Sequence, residues 1–286
     1  MKAFVMLASV VALTSQAQDF SRSAWPDTRE HAEYVLGSAQ ERWIGGQINW
    51  YYNPANQPGN LSTADVLRAI QTAAARWSGM CNLTFTYMGT TVALPNVRST
   101  FATIDRTNVF GWGLLTNEMA QYGAYTQWWY DGTHAIIDAD TVINTAYAWT
   151  AENVEAIMTH ELGHVTGLNH SNVQASVMFA NPYHTYSYQR TLRGDDANAC
   201  AALYGASVNA ESNRAMNWAE QNFALLFAPS PAQSGTISGY YYRYYPGTNI
   251  YLATANGHAY TMGGNNLIVD QGVVSNYSGL VQAAGF

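Results

Sequence analysis

The sequence predicts an α+β protein: a larger mixed unit followed by a small, mainly β one. Three observations point there. Strand-like alternation and helical 3,4 spacing interleave between Arg42 and Gly205. Beyond Gly205 the texture changes to tyrosine-rich alternation punctuated by Gly, Pro and Asn-Gly. With 286 residues and 48% hydrophobic content, the chain has enough apolar material for a main core and a satellite unit. The organisation read from these shifts is 1–18 a signal segment, 19–41 a linker or short propeptide, and 42–205 the main domain. A linker with a short helix follows over 206–234, and a small Tyr-rich β domain over 235–286.

Met1 to Gln18 has one basic residue, Lys2, an apolar run from Ala3 to Leu13, and a small-x-small site at Ser15-Gln16-Ala17. This pattern reads as a secretory signal, too short to span a bilayer. Gln18 to Gln40 is polar and without a sustained period. Gln47 to Tyr52 alternates as a strand. Ser62-Thr63-Ala64-Asp65 then opens a helix with a capping-box arrangement. In that helix Val66, Ala69, Ile70, Ala73, Ala74 and Trp77 share one buried face, and Gly79 ends it. Leu83 to Tyr87, Asn108 to Trp112 and Ala135 to Asn144 read as strands. Thr150 caps a second helix whose apolar stripe is Val154, Ile157, Met158, Leu162 and Val165, with Gly167 as its stop. A third helix runs from Asp195 to Leu203, its Asp195 and Asp196 in the first turn where the macrodipole favours acids. A short helical stretch covers about Asn217 to Leu226, and Pro229-Ser230-Pro231 breaks it. Strands then follow over Gly239 to Pro246 and Ile250 to Thr261, the latter folded at Asn256-Gly257, a strong hairpin signal.

Composition excludes two function classes. The only lysine is Lys2 and the arginines are scattered singly, so no cationic groove for nucleic acid can form. Basic amphipathic helices for membrane surfaces are absent for the same reason, and no later segment is long and apolar enough to span a membrane. Cys81 and Cys200 are the two cysteines. In an exported chain an even count favours a disulfide over two buried thiols.

The chemistry is concentrated in His160-Glu161-Leu162-Gly163-His164-Val165-Thr166-Gly167-Leu168-Asn169-His170, a complete H-E-x-x-H-x-x-G-x-x-H. Residues i and i+4 share a helical face, so His160 and His164 can offer nitrogens to one cation. Gly167 can take a positive φ and let the chain leave the helix, which brings His170 back as a third ligand. Three neutral imidazoles leave zinc a fourth, open position, where water has its pKa pulled toward about 7. Glu161, beside the ligands, is placed to act as general base toward that water. The eleven-residue form is far more specific than a bare H-E-x-x-H.

On these residues the sequence resembles the metzincin zinc endopeptidases, and among them the matrixins. The likeness covers about Arg42 to Gly205, dense in the second half and looser between Val92 and Asp131. It implies a metzincin-type catalytic domain with a twisted mixed sheet, an active-site helix and a closing helix over Leu192 to Gly205 that carries Asp195 and Asp196. It further implies a methionine turn at Ser176-Val177-Met178 and an S1′ wall at Asn181-Pro182-Tyr183, so that Pro182 and Tyr183 line the substrate pocket. The implied cofactor is one catalytic Zn2+, the implied substrate a protein or peptide lying extended against a sheet edge at about Ala135 to Asp140. A second, structural zinc of the family needs several histidines ahead of the helix, and this region offers only His134. Ca2+ has candidate oxygen ligands in Asp131, Asp138 and Asp140. No cysteine precedes Cys81, so latency of the propeptide-cysteine kind has no donor; Asp27 and His31 are the candidates to occupy the open position instead.

The implied activity is secreted, zinc-dependent peptide hydrolysis. An alternative keeps the zinc domain as a scaffold and gives the work to the tail. There, Gly239 to Pro246 carries alternating tyrosines suited to a glycan or protein surface.

Overall fold

The computed structural model describes residues 34–37, 40–97, 104–180, 190–222, 233–245, 248–263 and 267–286. The signal segment, Asp27, His31, Pro182 and Tyr183 lie outside the described residues.

A first sheet is built from β1 (Gln47–Asn53), β2 (Thr84–Thr90), β3 (Asn108–Gly113), β4 (Ala124–Tyr130) and β5 (Ile136–Asn144), in the order β2-β1-β3-β5-β4. All pairings are parallel except β4 with β5. The sheet is therefore mixed and closes on an antiparallel edge. Helices α1 (Thr63–Met80) and α2 (Ala151–Val165) pack with it into one core, followed by α3 (Gly194–Tyr204). Ser62 caps α1 by accepting the Asp65 amide at 3.1 Å, as its capping pattern predicts, and Thr150 caps α2 through the Asn153 amide. Trp50 lies between Tyr87 and Phe110, and the Trp77 indole donates to the Thr159 carbonyl, which fixes α1 against α2. Cys81 and Cys200 are joined in a disulfide that ties the end of α1 to α3.

The substrate strand expected at Ala135 to Asp140 requires correction. Those residues belong largely to β5, whose Ile136 to Asp140 stretch is already paired with β4, while its Thr141 to Asn144 stretch pairs with both β4 and β3. The sheet edge on this side is β4, an element without a clear signal in the sequence, and the opposite edge is β2.

Helix α4 begins at Ala210, ahead of the expected Asn217, and runs to Asn222. A second, all-antiparallel sheet follows: β6 (Gln233–Ile237), β7 (Tyr240–Tyr245), β8 (Ile250–Ala255), β9 (His258–Met262) and β10 (Ile268–Val273), in sequential order, before a short α5 (Ser278–Ala283). Asn256 and Gly257 both have positive φ, as the turn between β8 and β9 requires. Tyr241, Arg243, Tyr245, Leu252 and Thr254 alternate onto the buried face of this sheet. Tyr240, Tyr242, Tyr244, Tyr251 and Tyr260 take the other face, all half-buried, with Tyr244 stacked on Tyr251. Gly235, Ala253 and Ala255 lie among them on that face.

The two sheets are joined through charge rather than oil. Arg76 of α1 meets Glu155 of α2 at 2.8 Å and Glu220 of α4 at 2.6 Å, and Arg243 of β7 reaches Glu220 at 2.9 Å. All four are buried. The Tyr245 hydroxyl donates to Glu220, and Arg243 and Tyr241 both donate to Asn213 Oδ1. Asn213 in turn donates to the Gly79 carbonyl. Burial pushes the Glu220 carboxyl up, but the Arg243 and Arg76 guanidiniums outweigh it and hold the carboxyl down at about 2.

Candidate metal centre

Helix α2 carries His160, Glu161 and His164, and its geometry follows from the sequence spacing. The His160 and His164 ring centroids are 4.8 Å apart. After Gly167 the chain turns back: Gly167 has φ +97, and a Cβ there would sit 2.2 Å from the Glu41 carbonyl oxygen. Glycine is thus required both by the turn and by the chain passing beside it. His170 then stands 4.8 Å from His164 and 5.2 Å from His160, ring to ring. One nitrogen from each lies within 4.8 Å of the other two, the only such group of three His, Cys, Asp or Glu ligands among the described residues.

Hydrogen bonds settle which nitrogens face the centre. His160 Nδ1 lies 2.7 Å from the Val177 carbonyl, and His164 Nδ1 2.7 Å from the Leu168 carbonyl. A carbonyl only accepts, so both Nδ1 atoms carry hydrogen and both neutral rings turn an unprotonated Nε2 inward. Burial lowers the His160 pKa to about 4, lowers His164 well below the usual histidine value, and lowers His170. At neutral pH three lone pairs are available. This donor set fits zinc with one position left open.

The methionine turn lies beneath α2. Met178 is buried, and a Cβ on Gly163 would approach its sulfur to 2.2 Å and Trp77 to 2.8 Å. Gly163, which sequence reading passes over as a spacer, is therefore required by contact. Asp196 of α3 holds the turn, accepting the Val177 amide at 3.0 Å, the Met178 amide at 3.1 Å and the Ser176 hydroxyl. Asp195 accepts the Ser171 hydroxyl at 2.7 Å. The first-turn acids of α3 thus do more than complement its dipole, because Asp196 fixes the peptide whose carbonyl orients His160.

Glu161 is buried, and burial raises its pKa to about 7 against the lowering effect of a hydrogen bond from Thr126. Thr126 and Trp128 come from β4, with the Trp128 ring stacked on His164 at 6.0 Å. Neither is evident from the sequence.

Among the described residues, the carboxylates considered for calcium belong to no group of three ligands. Asp140 accepts the Asn96 and Val109 amides, each at 2.7 Å, Asp138 accepts the Arg106 amide, and Asp131 closes its own turn through Thr133 and Ala135. Burial pushes Asp138 up to about 6 and Asp140 up to about 7. Their hydrogen bonds tie Asn96, Arg106 and Val109 to β5.

Comparison with known proteins agrees with this geometry. The family model described as Matrixin matches residues 42–205. Interstitial collagenase of Equus caballus is 30% identical over 185 residues, covering 62% of this chain and 36% of the relative. Stromelysin-3 of Xenopus laevis is 30% identical over 170 residues, 58% of this chain and 33% of the relative. Metalloendoproteinase 2-MMP of Arabidopsis thaliana is 27% identical over 195 residues, 64% and 48% respectively. The chain spans about a third of the length of the collagenases it matches. The family model covers more than half of the sequence and includes every residue of the histidine cluster, so this chain belongs to the matrixin family.

Proposed function

We propose that the chain is an exported zinc-dependent endopeptidase that hydrolyses peptide bonds of extracellular proteins. The observation that carries this reading is the convergence of His160, His164 and His170 beside the buried carboxylate of Glu161. A closed structural zinc site has no use for such a group. When bound, zinc supplies a Lewis acid for the scissile carbonyl and for the attacking water. Glu161 takes a proton from that water as its oxygen bonds to the carbonyl carbon. It then gives the proton to the amine nitrogen as the carbon–nitrogen bond breaks, leaving a carboxylic acid and an amine.

The substrate lies extended along β4, adding a strand to the sheet edge through main-chain hydrogen bonds. The edge position of β4 and the closeness of Trp128 to His164 support this. Pro182 and Tyr183 wall the S1′ pocket in this reading. Export through 1–18 is consistent with the Cys81–Cys200 disulfide, a bond suited to an oxidising compartment. No helix among the described residues is long and apolar enough to cross a membrane. The tyrosine face of the second sheet gives the protein a contact surface for a glycan or protein.

Casein or gelatin cleavage, with and without chelator, tests the reading. Cleavage that vanishes on chelation and returns with zinc is expected. Protein carrying one zinc yet cleaving nothing, while still binding surfaces through the tyrosine face, would favour the scaffold alternative.

A further inference from the structure

The carboxylate of Glu161 does not sit freely in its pocket. Thr126, on β4 and buried, places its Oγ1 2.5 Å from Glu161 Oε2. The same Oγ1 lies 2.8 Å from Thr141 Oγ1. Thr141 is the cross-strand partner of Thr126 on β5 and is fully buried. The direction of this chain follows from counting hydrogens. An ionised carboxylate oxygen only accepts, and a hydroxyl has one hydrogen to give. Thr126 therefore donates to Glu161, and Thr141 donates to Thr126.

A glutamate has three side-chain torsions, the last of them broad, so its carboxylate plane is set by what holds it. Both threonines are β-branched and stiff about χ1, and both are carried on paired strands. They form a rigid arm reaching from the sheet to the catalytic helix. Oε2 already accepts from Thr126, which makes it the less basic of the two oxygens toward an arriving proton. Oε1 is the other oxygen of the same group.

We infer that Thr126, backed by Thr141, is a positioning residue that holds Oε2 of Glu161 and so assigns proton uptake and return to Oε1. The inference rests on the proposed role of Glu161. It gives β4 a second task beyond offering its edge to substrate.

The test compares Thr126→Val, Thr126→Ser, Thr141→Val and Glu161→Ala in the full, zinc-loaded chain on a fluorogenic peptide. Valine keeps the shape and removes the hydroxyl. Thr126→Val is expected to lower kcat about 10- to 100-fold, the scale of a small misplacement of a catalytic group. KM and zinc content should stay near the parent values. Thr126→Ser, which restores the hydroxyl, should recover most of the lost kcat, and Thr141→Val should show a smaller loss. Should Thr126→Val not fold, the Ser and Thr141→Val variants still decide. Parent-like kcat in Thr141→Val removes the arm, and Thr126→Ser as impaired as a Thr126→Ala variant, which keeps neither hydroxyl nor methyl, makes the effect one of packing. Parent-like kcat in Thr126→Val with an inactive Glu161→Ala overturns this inference alone, whereas an active Glu161→Ala overturns the role of Glu161 itself.

Discussion

Replacing Arg243 with Met tests whether the second sheet is a detachable appendage or part of the fold that supports the metal helix. In the parent, Arg76 and Arg243, with the half-buried Arg190 at 3.4 Å from Glu155, balance Glu155 and Glu220 in a chain of ion pairs. Methionine fills much of the arginine volume but removes one of the two cations on Glu220. Arg76 is then shared between two buried carboxylates. Breaking a buried pair by removing one partner costs about 3–5 kcal/mol, because the remaining charge is stranded away from water. At roughly 2–4 °C per kcal/mol for a chain approaching this size, the melting temperature should fall by about 6–20 °C. The loss should appear as one cooperative transition in calorimetry, with zinc-loaded activity disappearing over the same interval. The pH dependence has a definite sign. Glu220 has a folded pKa of about 2, below its usual value of 4.5, so its contribution is present above 4.5 and is lost as pH falls toward 2. Without Arg243 that depression weakens and acid can neutralise the stranded carboxylate, so the deficit of Arg243→Met should be smaller at pH 4 than at pH 7. In a Glu220→Gln background the same substitution should cost far less. Melting within a degree of the parent, or two separate transitions with activity tracking only the unshifted one, would refute the coupling.

Three further outcomes follow from the site. Glu161→Ala should retain one zinc per chain and lose peptidase activity by about 10²- to 10⁴-fold or more, the range of a lost general base, measured by peptide cleavage and metal analysis on one sample. His164→Ala should lose zinc, and tight stoichiometric metal in that variant would remove His164 from the ligand set. Gly163→Ala should lower stability by about 1–3 kcal/mol in thermal unfolding, because its Cβ meets Met178 and Trp77 at overlapping distances. A parent-like melting temperature would show that the methionine turn yields more easily than its packing suggests.

The metal ligands were legible in the sequence because one helix and its exit carry them all, so spacing along the chain translates directly into spacing in the fold. The helix caps, the Asn256-Gly257 turn and Gly167 were legible for the same reason: each is a local rule. β4 escaped because Tyr125, Thr126, Gln127, Trp128 and Trp129 put bulky groups on both faces and hide the period of two. Thr126 could be read as a hydroxyl on a strand only once that strand was known. The start of α4 leaves no apolar periodicity because its buried face is polar. Asn213, Asn217 and Glu220 are buried with Met216, and a search for apolar spacing sees only the last. The ion chain draws on Arg76, Glu155, Glu220 and Arg243, which no local pattern connects. Without a sequence signal for β4, its neighbour β5 looks like the boundary of the sheet.

Zinc-edge X-ray absorption on the purified full chain, combined with metal analysis, reads the metal and its ligands together. One zinc per chain is expected, with three imidazole nitrogens at about 2.0–2.1 Å and at least one further oxygen, and one nitrogen fewer in His170→Ala. Protein without zinc, a first shell containing sulfur, or an unchanged shell in His170→Ala would contradict this ligand set.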